Sequence, residues 1–325
     1  MKSITIFSPG KSILFGEHAV VYGYPAIAMA ISIKSYCQIE RSDKGKIIIH
    51  LKNYGTFFEA PNIKILKSKI PSAYQQFCSG LLHFKENFNL KLNDLLITLE
   101  SDLFPGAGLG SSASISVAFI YGLNHFFSLN LSKDEVNQLA YEMEKEVHGL
   151  PSGVDNTTCT YGNAIFFQEG NFKFIDIKED IPILITYTNI EHNTKQAIER
   201  IRDLKRKSPK KIEKIFGNIG ELANQAEKEL MRGNTRKIGE LMNQNQKYLV
   251  GLKISNREIN EIVQTATENG AFGSKLTGAG LGGCVISIGE KEILEGISLK
   301  LKEKGYESFL AKSDTNGVRI NEYEE

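Results

Sequence analysis

The passage from 95 to 129 constrains this chain most. A strand-like run, LLITLESDL at 95–103, leads straight into PGAGLGSSAS, and the following segment SISVAFIYGLNHFFSL carries no charged residue. A helix without a charged face is buried on most sides, so the chain needs apolar material to surround it. With 325 residues, 41% of them hydrophobic, it has that material. Three alternating glycines let the backbone approach a ligand, and the helix start behind them offers unpaired N–H groups and a positive dipole end. That arrangement suits an anion, above all the phosphates of a nucleotide. The plainer alternative is a tight turn with Ser111 and Ser112 as caps.

Short strand-like runs dominate the first fifty residues: SITIFS, the Ile-rich region from Ala26 to Ile39, and KIIIHL at 46–51. Apolar residues at Tyr74, Phe77, Leu81, Leu82 and Phe84 predict a helix. Ser132 with Glu135 marks the start of another, Gly149 its end, and Val136, Leu139, Ala140, Met143 and Val147 its apolar stripe. AIFFQ, a turn at Glu169-Gly170-Asn171 and FKFIDI predict a hairpin. The stretch 195–250 predicts charged helices, with DLKRKSPKK at 203–211 as a solvated connector. A helix near 255–269, a glycine loop at 278–283 and the strand CVISI follow. The order is mixed α+β without regular βαβ alternation, and the domain boundary falls near residue 180.

Lys plus Arg total 39 against 38 for Asp plus Glu, which creates no field favouring nucleic acid or an anionic membrane. A small-molecule partner is expected instead. No run has signal-peptide character or approaches the roughly 18 apolar residues of a membrane span, so a cytoplasmic protein is expected. Cys37, Cys78, Cys159 and Cys284 lie far apart and are read as reduced core thiols.

Three further stretches bear on chemistry. SPGKS at 8–12 ends like a P-loop, but Thr5 stands where that loop needs its first glycine. It is expected to be a glycine turn that delivers Lys11. KLTGAGLGGC at 275–284 contains G-x-G-x-x-G at Gly278, Gly280 and Gly283, yet it follows a helix and opens a strand, unlike a dinucleotide fingerprint. HGLPSGVDN at 148–156 sets Asp155 in a Gly/Pro-shaped loop, as a base or as a turn closure. On the preceding helix, Glu142 and Glu144 flank the stripe and Glu146 lies nearer its edge, so periodicity does not choose a metal ligand among them.

SPGKSILFGEHAVVYGYPAI at 8–27, PGAGLGSSAS, HGLPSGVDN and KLTGAGLGGC occur in this order and span nearly the whole chain. Together they resemble the conserved stretches of the GHMP small-molecule kinases, and the HG-x-PSGVDN loop resembles the members that phosphorylate mevalonate. The resemblance implies two domains, an N-terminal ribosomal-protein-S5-like α/β domain over 1–180 and a C-terminal ferredoxin-like α+β domain over 181–325, with the active site in the cleft between them. It implies ATP held by Pro105, Gly106, Ala107, Gly108, Leu109, Gly110, Ser111, Ser112 and Ala113, and Mg²⁺ held by Ser112 and Glu144. Asp155 would take the proton from the C5 hydroxyl of mevalonate, with Lys11 beside it and the transferring phosphoryl group. Glu17, His18, Gly278 and Ala279 would join them in holding mevalonate.

Kinases of phosphomevalonate, homoserine or a sugar share the superfamily. A silent relative that binds ATP and a metabolite would be expected to lack Asp155, Lys11 or the serine pair, and all are present. Leu281 departs from the resemblance, standing where many relatives have another glycine. The region 195–250 is a candidate homodimer surface or packs on its own domain.

Overall fold

The computed structural model describes residues 3–104, 106–149, 151–177, 180–191 and 194–321, with only the backbone of Val147 and His148. Pro105 and Leu150, both in motifs named above, lie outside them, as does the side chain of Val147. The first half comprises β1 (Ser3–Phe15), β2 (Ala26–Arg41), β3 (Ile47–Leu51), β4 (Thr56–Ala60), α1 (Ile63–Lys69), α2 (Gln75–Phe88), β5 (Leu95–Ser101), α3 (Ser111–Phe126), α4 (Lys133–His148), α5 (Val154–Tyr161), β6 (Ala164–Gln168) and β7 (Asn171–Ile175). Then come β8 (Ile183–Tyr187), α6 (Thr194–Lys207), α7 (Pro209–Met231), α8 (Thr235–Gly251), α9 (Arg257–Glu268), β9 (Gly273–Thr277), β10 (Cys284–Ile288), α10 (Lys291–Glu303), β11 (Ser308–Ala311) and β12 (Arg319–Ile320).

The elements form two sheets. The larger runs β12-β1-β2-β5-β3-β4, and the long β2 pairs β5 along its second half and the β6–β7 hairpin along its first. Only β3 and β5 are parallel among its described pairs. The smaller sheet runs β11-β8-β10-β9, antiparallel throughout. After β11 the chain returns to the first sheet, where Ile320 of β12 sits opposite Ile6 of β1.

Side-chain alternation explains the layering. In the second sheet Ile183, Ile185 and Ile286 face a core shared with Leu14, Ile27, Met29 and Ile31 of the first sheet, whereas Leu184 and Val285 face α9 and α10 through Ile259, Ile262, Leu294 and Ile297. A separate core packs Ile6, Cys37, Ile39, Ile49 and Leu99 of the first sheet against Phe77, Val117, Phe119 and Leu123 of α2 and α3. The uncharged α3 is buried along most of its length, and its polar groups are engaged. Ser114 Oγ donates to Ser8 O at 2.9 Å, and Asn124 exchanges two bonds with the backbone of Leu131. All four cysteines are free and buried.

Two expectations are corrected. SPGKS is not a turn: Pro9 to Ser12 lie inside β1, with Pro9 opposite Lys34 and Gly10 opposite Ile31, so β2 bulges by two residues there. DLKRKSPKK is not a connector either, since α6 runs to Lys207 and α7 starts at Pro209. Proline needs no acceptor for a missing N–H at the first helical position, and the lysines mark solvated helix faces. The capping box at Ser132 and Glu135 is present in full. Gly149 ends α4 with φ 74° and ψ −68°, a positive φ outside the left-handed helical basin.

Helix α8 meets β9 backbone to backbone, for a Cβ on Gly273 would lie 2.1 Å from Gly239 O. Gly273→Ala is therefore expected to cost about 1–3 kcal/mol, seen as a lower urea midpoint with unchanged slope. Gly296→Ala, in α10 with open space around the added methyl, is expected to stabilise by up to about 1 kcal/mol.

Candidate active site

Strand β1, opposite the bulge in β2, puts a lysine where a charge is costly. Lys11 is 3% exposed. Its backbone N–H donates to Leu109 O at 2.8 Å and its ammonium to Gly108 O at 3.0 Å, so both ends of the residue are fixed to the PGAGLGSS loop. The same ammonium lies 3.1 Å from Asp155 Oδ2. Asp155 occupies the first turn of α5 behind Gly153, which has φ 84°. Its side chain keeps 38% exposure, so the carboxylate faces both the lysine and open space.

Glycine is required at two places by contact. A Cβ on Gly110 would strike Lys11 Cγ at 2.7 Å, and one on Gly278 would lie 3.3 Å from the backbone of Gly108. The first glycine stretch thus carries the lysine stem on one side and touches the second stretch on the other. Gly106, Gly108 and Gly110 all have positive φ, and among the described residues no side chain caps the first turn of α3. Such a loop forms a concave nest of N–H groups ahead of a helix start, suited to phosphate.

Helix α4 adds the acid that periodicity could not choose. Glu144 is buried, whereas Glu142 is exposed and paired with Lys145 at 2.9 Å, and Glu146 is exposed. Ser112 Oγ donates to Glu144 Oε1 at 2.6 Å, and Ser116 Oγ lies 3.5 Å from it. Burial raises the Glu144 pKa to about 7, with the serine bonds opposing and Asp155 adding to the rise. Ser111 turns away to Ser101 at 3.3 Å. An alcohol oxygen beside a buried carboxylate is a donor set that fits a hard divalent cation. The described residues hold no group of three or more acidic, His or Cys side chains that could cage a metal unaided.

On the other side of Lys11, His18 Nε2 is 2.8 Å from Ala279 O. Its backbone has φ 61° and ψ −38°, a positive φ rare outside glycine and outside the left-handed helical basin. Glu17 is turned into the protein. It is 1% exposed, and its oxygens accept from Lys275 Nζ and Asn245 Nδ2. Nothing in the sequence pattern singled out Lys275 or Asn245, because both partners lie far from Glu17 along the chain. Thr277 was also missed: its Oγ1 accepts from Ile13 N at 2.9 Å. Leu281 takes φ 61°, which gives the physical reason a glycine suits that position.

The N-terminal and C-terminal GHMP kinase family profiles match residues 75–163 and 226–307. This chain belongs to the GHMP kinases. A mevalonate kinase of Thermococcus sibiricus is 32% identical over 97% of both chains, and one of Schizosaccharomyces pombe is 31% identical over 88% of this chain and 83% of the other. The crystal structure of Methanococcus jannaschii mevalonate kinase superposes with a TM-score of 0.87 at 29% identity, covering 96% of this chain and 99% of that one. That of Leishmania major mevalonate kinase, in complex with R-mevalonate, gives 0.82 at 27% identity over 97% and 96%. Within the superfamily the chain is a member of the mevalonate kinase family.

Burial holds the His18 pKa below its usual value, partly opposed by the bond to Ala279. The unfolded chain takes up a proton near pH 6.5, before the folded one does, so stability falls as pH drops through that value towards the lower folded pKa. His18→Gln is expected to flatten this dependence between pH 7.5 and 5.5 in urea titrations.

Proposed function

We propose that this protein transfers the γ-phosphoryl group of ATP to the C5 hydroxyl of mevalonate, giving 5-phosphomevalonate and ADP. The observation that carries the reading is the Lys11 ammonium held between Gly108 O and Asp155 at the edge of the glycine loop. Phosphoryl transfer passes through a loose, highly charged transition state, so catalysis rests on positioning and on cations around the moving group.

The backbone from Gly106 to Gly110, with Ser111, Ser112 and Ala113 behind it, would cradle the ATP phosphates. Ser112 and Glu144 would hold Mg²⁺, which supplies charge neutralisation when bound. Lys11 would stabilise charge on the transferring group and keep Asp155 oriented. Asp155 would accept the alcohol proton late, as the oxygen bonds to phosphorus and its acidity rises. His18, Gly278 and Ala279 would contribute the acceptor side, where the two glycine stretches meet. No described helix is long and apolar enough to cross a membrane, and a cytoplasmic location fits such a substrate.

A coupled assay of ADP release, with mevalonate, phosphomevalonate, galactose and homoserine in parallel, tests the reading. Turnover with mevalonate alone is expected, and turnover with another acceptor alone would reassign the substrate. Asp155→Ala is expected to lower kcat about 10²-fold or more while ATP affinity holds, and Lys11→Met to impair turnover as well. Glu144→Gln should leave the urea midpoint in EDTA at pH 8 no lower than wild type, because it removes a buried charge, yet abolish the stabilisation that Mg-ADP adds over ADP.

A further inference from the structure

Glu17 and Lys275 form an ion pair with both side chains fully buried, joining the end of β1 to the second sheet. Lys275 Nζ also donates to Ile13 O at 3.3 Å and Leu276 O at 2.6 Å, which uses its three protons. The second oxygen of Glu17 accepts from Asn245 Nδ2 of α8 at 3.1 Å. Ile13 is gripped again through its N–H by Thr277, so β9 holds this residue at both backbone groups. Burial lowers the Lys275 pKa, and the Glu17 charge opposes that shift.

A buried pair of this kind contributes little net stability compared with apolar side chains of similar size, but losing one partner strands the other charge. Its use is therefore geometric. Ile13 lies two residues beyond Lys11 on β1, and Glu17 immediately precedes His18, whose ring meets Ala279. Both ends of the gripped segment carry side chains placed at the site.

We propose that Glu17 is a positioning residue rather than a substrate ligand: its pair with Lys275 locks the end of β1 to β9 and thereby sets Lys11 and His18 against the glycine loops. The activity readout rests on the kinase reading above, so a second readout is needed that does not. Asn245 Oδ1 is buried without a hydrogen-bond partner among the described residues, so turning this amide over would offer a glutamine at 17 an acceptor for its new N–H₂ group.

The experiment compares E17Q, K275M and the double variant, with kcat and KM measured at 20 °C and hydrogen exchange followed in peptides covering 9–18. Each single variant is expected to lower kcat about tenfold or more and to speed exchange in that segment, while KM for ATP stays within about twofold. The double variant has lost the latch as well, so it should stay within about threefold of the single variants in kcat and keep fast exchange, the two losses not adding; recovery to wild-type values would trace the single-variant defects to the stranded charge and overturn the proposal. A direct ligand would give a different pattern: E17Q would raise KM for mevalonate, K275M would stay near wild type, and the double would follow E17Q. That result overturns the proposal, as do single variants with lower Tm but unchanged kcat and exchange. Should a single variant fail to fold, Glu17→Asp keeps the charge and shortens the reach; a fall in kcat at constant mevalonate KM supports positioning, and a rise in KM alone opposes it. If the wild type phosphorylates none of the acceptors the kinase reading fails by itself, and the exchange data then decide the latch: faster exchange in the singles that persists in the double upholds it, and unchanged exchange, or recovery in the double, removes it.

Discussion

One buried ammonium organises this molecule. Lys11 is fixed by its backbone and its side chain to the same glycine loop, and its charge is met by Asp155. Removing a lysine from water is expensive unless a carboxylate and hydrogen-bond acceptors receive it. That requirement ties together three pieces of chain, β1, the loop before α3 and the first turn of α5. The glycines follow from the same contact, because the stem of Lys11 passes where a Cβ at position 110 would sit.

The site then extends outward in two directions with different physics. Towards α4 it is acidic: a buried carboxylate with its pKa raised to about 7 lies beside an alcohol and near a second acid. Towards β9 it is closed by matched charge, with Glu17 and Lys275 compensating each other away from water. The acidic side suits a cation, and the matched pair suits mechanical attachment. Leu281, strained at φ 61° in the loop between β9 and β10, packs partly into the apolar core below. A leucine there exchanges backbone ease for buried surface.

Much of this was legible in the sequence where the signal is local. The capping box of α4, the uncharged α3 and the hairpin of β6 and β7 rest on neighbours a few residues apart, and they appear as read. The failures have a common cause. Pro9 and Gly10 look like turn residues, but a bulge in the partner strand absorbs the irregularity, and that partner is not visible in SPGKS itself. The charged run around Ser208 looks like a loop because composition reports solvent exposure and not backbone conformation. The partners of Glu17 were invisible for the same reason, being more than two hundred residues away along the chain. Glu144 needed the neighbouring helix to separate it from Glu142 and Glu146.

The pairing of β12 with β1 has a consequence for how the chain is made. β1 leaves the ribosome about three hundred residues ahead of β12, so the outer edge of the first sheet stays open while the elements between them are made. During that time β1, which bears Lys11, has β2 on one side and no strand on the other. The second sheet must also form before its last strand can lead the chain back. The late return makes the final assembly slow, since distant segments must find each other. It also leaves the nascent chain vulnerable along one exposed strand edge until β12 is made.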